Sequence, residues 1–128
     1  MTHKILLVDD DDVIRNLMGM YLQRGGFSVV KAEDGMTGIE FFRAEKPDLV
    51  VLDVAMPEMS GFEVAKRLRA IEKEEERSRT PIIILTAYAR SFFLADSTEA
   101  GVDSYLTKPI TPDQLLQHIK EFLGQEEA

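Results

Sequence analysis

The sequence predicts a doubly wound α/β fold, a five-stranded parallel sheet with five helices, in one domain over residues 1–124 with a polar tail at 125–128. Three observations predict it. The apolar runs Ile5-Leu6-Leu7-Val8, Leu49-Val50-Val51-Leu52 and Ile82-Ile83-Ile84-Leu85 are continuous rather than alternating, as in strands covered on both faces. Segments with helical spacing separate them. The connections are short, which favours right-handed crossovers that lay helices on both sides of one sheet.

Taken in order, Ile5–Val8 is the first strand. Val13, Ile14, Leu17, Met18, Tyr21 and Leu22 then recur at helical spacing, with Gly25-Gly26 as a stop. Phe27–Val30 is a weaker run and reads as an edge strand. Ile39 and Phe42 mark a second helix, closed before Pro47. After Leu49–Leu52 come Phe62, Val64, Ala65, Leu68 and Ile71 on a third helix. It runs into the polar stretch Glu72–Thr80, read as a frayed helix end and loop. Ile82–Leu85 precedes a fourth helix at about 90–100, and Tyr105-Leu106 is the last strand. The fifth helix opens on a capping box: Thr111 as cap, Pro112 in the first turn and Gln114 three residues after the cap. Its apolar face is Leu115, Ile119, Phe122 and Leu123.

Composition narrows the function. A chain of 128 residues without cysteine can fold around one core and has no disulfide or thiol chemistry. A net charge of −8 argues against direct nucleic-acid binding, which needs phosphate neutralisation. No apolar run is long enough to span a membrane. Met-Thr-His-Lys leads straight into a strand with no signal peptide in view, so a cytoplasmic address is expected.

The chemistry-bearing residues follow the strands. Asp9, Asp10, Asp11 and Asp12 come after the first, Asp53 ends the third, Thr86 follows the fourth, and Lys108-Pro109 follows the fifth. In doubly wound sheets ligands bind at the carboxyl ends of strands, where the winding reverses. One or two of the acids would be explained by helix capping. Four in a row opposite a fifth repel one another unless a cation intervenes. Asp11 and Asp12 are therefore assigned to the cap, and Asp9 and Asp10 to the site. Lys108 above the carboxylates suits a phosphate clamp. The Thr86 hydroxyl is placed to bond a phosphate oxygen.

These pieces together resemble the receiver domain of two-component response regulators, the family that includes the bacterial chemotaxis regulator. The matching segments are Ile5–Asp10, Leu52-Asp53 with Met56-Pro57 and Gly61, Leu85-Thr86-Ala87, and Ala100-Gly101 through Tyr105 to Lys108-Pro109. The resemblance implies a flavodoxin-like strand order 2-1-3-4-5. It implies Mg²⁺-dependent acceptance of a phosphoryl group by Asp53, with a phosphohistidine on a sensor histidine kinase or histidine phosphotransfer protein as donor. Asp10, Asp53 and the Ala55 backbone carbonyl would ligate Mg²⁺ directly and Asp9 through water. Lys108 and Thr86 would contact the phosphoryl group, Tyr105 would turn with the state of Thr86, and Lys108–Pro109 would be cis. Phosphorylation and dephosphorylation would be self-catalysed, in a signalling phosphoprotein rather than an enzyme. The output would pass from the fourth helix, fifth strand and fifth helix to a downstream protein or effector domain, or to a second copy in a phosphorylation-dependent homodimer.

Some positions depart from the family pattern. Ala55 is small and Tyr88 bulky at the two positions flanking the path of hydrolytic water, so both are expected to tune hydrolysis. Phe92, Phe93 and Leu94 are successive, and three successive helical residues span roughly 200°. At least one must leave the core, and Phe92, Leu94 and Tyr105 are expected to form the output patch. A haloacid-dehalogenase phosphatase would need a second acid at Ala55. A flavodoxin would need a flavin-phosphate cradle where Asp9–Asp12 stand. A receiver that had lost its chemistry would not retain Asp10, Asp53, Thr86 and Lys108 together.

Overall fold

In the computed structural model, residues 2–87 and 100–124 are described. The elements are β1 (Lys4–Val8), α1 (Asp12–Arg24), β2 (Ser28–Ala32), α2 (Gly35–Glu45), β3 (Leu49–Asp53), α3 (Gly61–Glu74), β4 (Ile82–Thr86), β5 (Ser104–Thr107) and α4 (Pro112–Leu123). All pairings are parallel, and the strand order is β2-β1-β3-β4-β5. The expected doubly wound sheet is therefore present. Among the described residues there are four helices. The further helix expected at about 90–100 lies outside them except for Ala100, which is helical and buried.

The continuous apolar runs split cleanly between the two faces. Leu6, Val8, Val50, Leu52, Ile82 and Ile84 pack with Phe42 of α2 and Val64, Leu68 and Ile71 of α3. Ile5, Leu7, Leu49, Val51, Ile83 and Leu85 pack with Met18 and Leu22 of α1 and Leu115 and Ile119 of α4. Side chains alternate along a strand, so covering both faces demands apolar residues at every position.

The helix ends follow local chemistry. Asp11 caps α1 by accepting from the Val13 and Ile14 amides at 2.9 and 3.1 Å. Asp12, expected to share that task, sits in the first turn and pairs with Arg15 instead. Ser60 caps α3, and α4 has the expected capping box between Thr111 and Gln114.

Several side-chain placements differ from expectation, among them Phe122, assigned to the apolar face of the last helix but 38% exposed. Val13 and Leu17, which recur at helical spacing with Met18 and Leu22, are 75% and 40% exposed. Glu72, read as the start of a frayed end, is helical and only 7% exposed. Its carboxylate accepts from Arg69 Nη1 at 2.7 Å and from the Thr80 amide at 2.6 Å. Arg69 also donates to the Gly101 carbonyl at 2.9 Å and to Asp103 at 2.7 Å. A buried carboxylate persists when paired and hydrogen-bonded in this way.

Phe42 is fully buried, with the Arg77 guanidinium 4.4 Å above its ring. Phe42→Ala is expected to cost about 3–5 kcal/mol of stability through lost burial and a residual cavity. Urea unfolding measures this, and a cost below about 1 kcal/mol would mean the site collapses around the void.

Candidate functional site

From β1 the chain winds outward to β2 on one side and to β3, β4 and β5 on the other, so the winding reverses between β1 and β3. Adjacent strands in register bring the carboxyl ends of β1 and β3 side by side, Val8 against Leu52. Asp9 leaves the end of β1 and Asp53 closes β3. A carboxylate oxygen from each of Asp9, Asp10 and Asp53 lies within 4.8 Å of the others.

Gly61 makes this close assembly possible. It opens α3 immediately under the β3 end, with its amide donating to the Val54 carbonyl at 3.0 Å. A Cβ there would sit 2.5 Å from the Asp53 carbonyl oxygen. In the sequence Gly61 stands out only as part of the family pattern; the structure shows a close backbone approach.

Lys108 arrives from the far side of β4. Its amide donates to the Thr86 carbonyl at 2.6 Å, continuing the β4–β5 ladder, and the next peptide bond, Lys108–Pro109, is cis as expected. The ammonium lies 3.2 Å from Asp53 Oδ1 and 3.8 Å from Asp9 Oδ2. Thr86 is buried at the end of β4. Asp53, Val54, Ala55, Thr86, Ala87 and Lys108 line a cleft of about 190 Å³. Tyr105 is half-buried against the α2–α3 side of the core. Tyr88, Phe92 and Leu94 lie outside the described residues.

Asp9 and Asp53 are buried, while Asp10 is exposed at the rim. Burial pushes the Asp9 carboxyl above its ordinary value, reinforced by the charges of Asp53 and Asp10 and opposed by the Asp11 amide and Lys108. Burial likewise raises Asp53, opposed chiefly by Lys108 and then by the Ala55 amide. Both shifts report carboxylates gathered where water cannot fully solvate them.

The donor set fits a hard divalent cation. Three carboxylates gather at one place and a single ammonium pairs with two of them, Asp53 and Asp9, leaving negative charge in excess. Asp9 Oδ1 accepts from the Asp11 amide at 2.9 Å, but Asp9 Oδ2 is buried with no hydrogen-bond partner among the described residues. A buried carboxylate oxygen without a donor is costly, and oxygen-rich sites of this kind suit Mg²⁺.

Two features went unmarked in the sequence. Arg15 reaches back to this corner, donating to the Asp9 carbonyl at 2.7 Å and to the Asp12 carboxylate. Its place three residues after Asp12 was the available signal. Beside the cleft, Ile14, Leu17, Met18, Leu85, Pro109, Ile110 and Pro112 form an apolar groove of about 450 Å³. Ala87 and Lys108 line both cavities.

Known proteins resemble this chain in sequence and in fold. The chain is 39% identical over 127 residues to the alkaline phosphatase synthesis transcriptional regulatory protein PhoP of Bacillus subtilis, covering 99% of this chain and 51% of that protein. It is 40% identical over 122 residues to the transcriptional regulatory protein CseB of Streptomyces coelicolor, covering 95% and 49%. The chain thus spans about half the length of these relatives. The structure of the chemotaxis protein CheY4 of Vibrio cholerae superposes with a TM-score of 0.87 at 30% identity, covering 94% of this chain and 98% of that one. Residues 5–120 match the family profile of the response regulator receiver domain, and to that family of two-component signalling domains the chain belongs.

Proposed function

We propose that Asp53 accepts a phosphoryl group from a phosphohistidine on a sensor histidine kinase or histidine phosphotransfer protein. The observation that carries this reading is the convergence of Asp9, Asp10 and Asp53, with the Lys108 ammonium against Asp53 and Asp9, at a cleft lined by Asp53 and Lys108. An Asp53 carboxylate oxygen attacks phosphorus in line, the P–N bond to the donor imidazole breaks, and an acyl phosphate forms. Such a transfer depends mostly on positioning and charge neutralisation. Lys108, already 3.2 Å from Asp53, is within reach of an equatorial phosphoryl oxygen. The Thr86 hydroxyl bonds another.

Asp10, Asp53 and the Ala55 carbonyl are the direct Mg²⁺ ligands in this reading, and Asp9 acts through water. Mg²⁺ supplies neutralisation of the carboxylates and of the incoming phosphoryl oxygens. Ala55 on the cleft wall and Tyr88 set access for hydrolytic water. Contacts made only to the phosphorylated state shift a two-state equilibrium through Thr86 and Tyr105. The output surface, built from Phe92, Leu94 and Tyr105 with β5 and α4, engages a downstream protein, an effector domain or a second copy. The strongly acidic charge of this domain does not suit direct nucleic-acid contact. A cytoplasmic address goes with a histidine-kinase donor.

Incubation with acetyl phosphate and Mg²⁺, followed by intact-mass measurement, tests the reading. A gain of about 80 Da, one phosphoryl group, is expected. No gain at any Mg²⁺ concentration refutes it.

The metal can be tested separately. Mg²⁺ is expected to raise the melting temperature, because it binds the folded site and relieves repulsion among the carboxylates. In Asp10→Ala the rise should shrink to a small fraction of the wild-type rise. An undiminished rise in that variant would place the cation elsewhere.

The donor protein must bring its phosphohistidine to Asp53, so it must also cover the cleft's surroundings. On the α1 side these are apolar. Val13, Leu17 and Met20 are exposed by 75%, 40% and 41%, and their spacing of four and three residues puts them on one helix face. That stripe borders the apolar groove whose lining includes Lys108. We assign it to the helical face of the phosphohistidine donor.

A further inference from the structure

Arg15 is a basic side chain at the acidic corner that the phosphoryl chemistry does not use. Its side chain is only 12% exposed, although it stands in the first turns of a surface helix. Helical side chains lean toward the N-terminus, so the guanidinium lies over the β1–α1 turn. One nitrogen donates to the Asp9 carbonyl at 2.7 Å, and another donates to the Asp12 carboxylate.

The bland account is an i,i+3 ion pair that supports the helix. It explains the contact with Asp12, whose side chain is 77% exposed, and such pairs contribute little. It does not explain why the guanidinium is drawn inward onto a backbone carbonyl. That carbonyl lies beyond the β1–β3 pairing, which ends at Val8 and Leu52. The Asp9 amide donates to the Ala32 carbonyl at 3.1 Å, and Asp9 Oδ1 accepts from the Asp11 amide. With the Arg15 bond added, the residue is held at its amide, its carbonyl and one carboxylate oxygen. The atom left over is Asp9 Oδ2, the orphan that faces Lys108. The Asp9 carbonyl belongs to the peptide unit that carries the Asp10 nitrogen, so fixing its plane also directs Asp10.

We propose that Arg15 is a positioning residue: by holding the Asp9 carbonyl and the Asp12 carboxylate together it sets the plane of the Asp9–Asp10 peptide and aims both carboxylates at the cation shared with Asp53. This rests on the Mg²⁺ reading of the site. It concerns orientation rather than charge, and the two make opposite predictions. As a bare positive charge Arg15 would repel Mg²⁺, so its removal would tighten binding. As an orienting group it supports binding, so its removal loosens it.

The experiment is a titration of the melting temperature with MgCl₂ for wild type, Arg15→Met and Arg15→Lys, with helix content measured by circular dichroism. Loss of a residue that orients metal ligands typically weakens metal binding by about tenfold or more, and Arg15→Met is expected to raise the Mg²⁺ half-saturation by about that factor. Arg15→Lys keeps the charge but not the planar fork, and should fall between. Phosphorylation by acetyl phosphate should show the same split, with the larger effect on Mg²⁺ half-saturation than on the rate at saturating Mg²⁺. If Arg15→Met does not fold, Arg15→Lys decides alone: a raised half-saturation supports the proposal, and a wild-type value overturns it. In a folded Arg15→Met protein an unchanged or lowered half-saturation overturns it too. A wild type whose melting does not respond to Mg²⁺ overturns the metal reading and this inference with it. A normal wild-type response with indifferent Arg15 variants overturns this inference alone.

Discussion

Asp53→Asn is expected to gain no phosphoryl mass under conditions in which the wild type gains about 80 Da. The other two carboxylates cannot stand in. Asp9 is buried, with one oxygen already accepting from the Asp11 amide. Asp10 is exposed at the rim, and the 3.2 Å contact with Lys108 belongs to Asp53. The same substitution has a second expected effect, on the metal-free protein. Burial raises the folded-state pKa of Asp53 above the ordinary 3.8, despite the opposing pull of Lys108. A carboxyl raised in this way contributes stability that is fully present below the unfolded value and is lost as pH rises through the folded value. At pH 7 the ionised side chain is therefore a cost, which the neutral amide removes. Without Mg²⁺, Asp53→Asn should melt above wild type at pH 7, and the gap should close as pH falls below about 4, near the unfolded pKa. Wild-type phosphorylation of the variant would falsify the acceptor assignment. A lower melting temperature at pH 7 would show that the Lys108 pair outweighs desolvation.

The fold was legible in the sequence where burial on both faces of a strand left no room for polar residues. Ile5–Val8, Leu49–Leu52 and Ile82–Leu85 could be read as central strands for that reason, and the caps at Asp11 and Thr111 follow from short-range hydrogen bonding. Strand order was a different matter. Apolar runs of equal length look alike wherever they sit in the sheet, so the order came from resemblance. The acids, Thr86 and Lys108 were legible as a set because each stands just past a strand. What could not be read was anything requiring a distant partner. Glu72 looks like a solvated residue in a polar stretch, and it is buried only because Arg69 and the Thr80 amide meet it. Arg69 in turn depends on Gly101 and Asp103, more than thirty residues away. Gly61 stood out only through the family pattern, because the nearness of the Asp53 carbonyl is a tertiary fact. Helical periodicity placed Val13 and Leu17 with Met18 and Leu22, yet the inner face of α1 closes on Met18 and Leu22 alone among these four.

That surplus of apolar side chains on α1 underlies the final expectation. Leu17→Asp should slow phosphorylation by a phosphohistidine-carrying protein while leaving phosphorylation by acetyl phosphate unchanged. Leu17 is 40% exposed and also lines the groove beside Lys108, so it stands between the stripe and the cleft. In the proposed reading a small donor engages Asp53, Lys108, Thr86 and the cation, and does not reach α1. On the proposed footprint a protein donor desolvates the helix face that carries Leu17, where a charge is costly to bury. Removing one central anchor from a protein interface costs about 2 kcal/mol, which is roughly a 30-fold loss of affinity. The loss should appear in the donor concentration needed for half-maximal rate. Val13→Asp, farther from the groove, should act in the same direction more weakly. The measurement is the initial rate of phosphotransfer from a purified histidine phosphotransfer protein that phosphorylates the wild type, set beside the acetyl phosphate rate for each variant. Equal losses with both donors would mean that Leu17 supports the site itself. No loss with either would remove α1 from the donor's footprint.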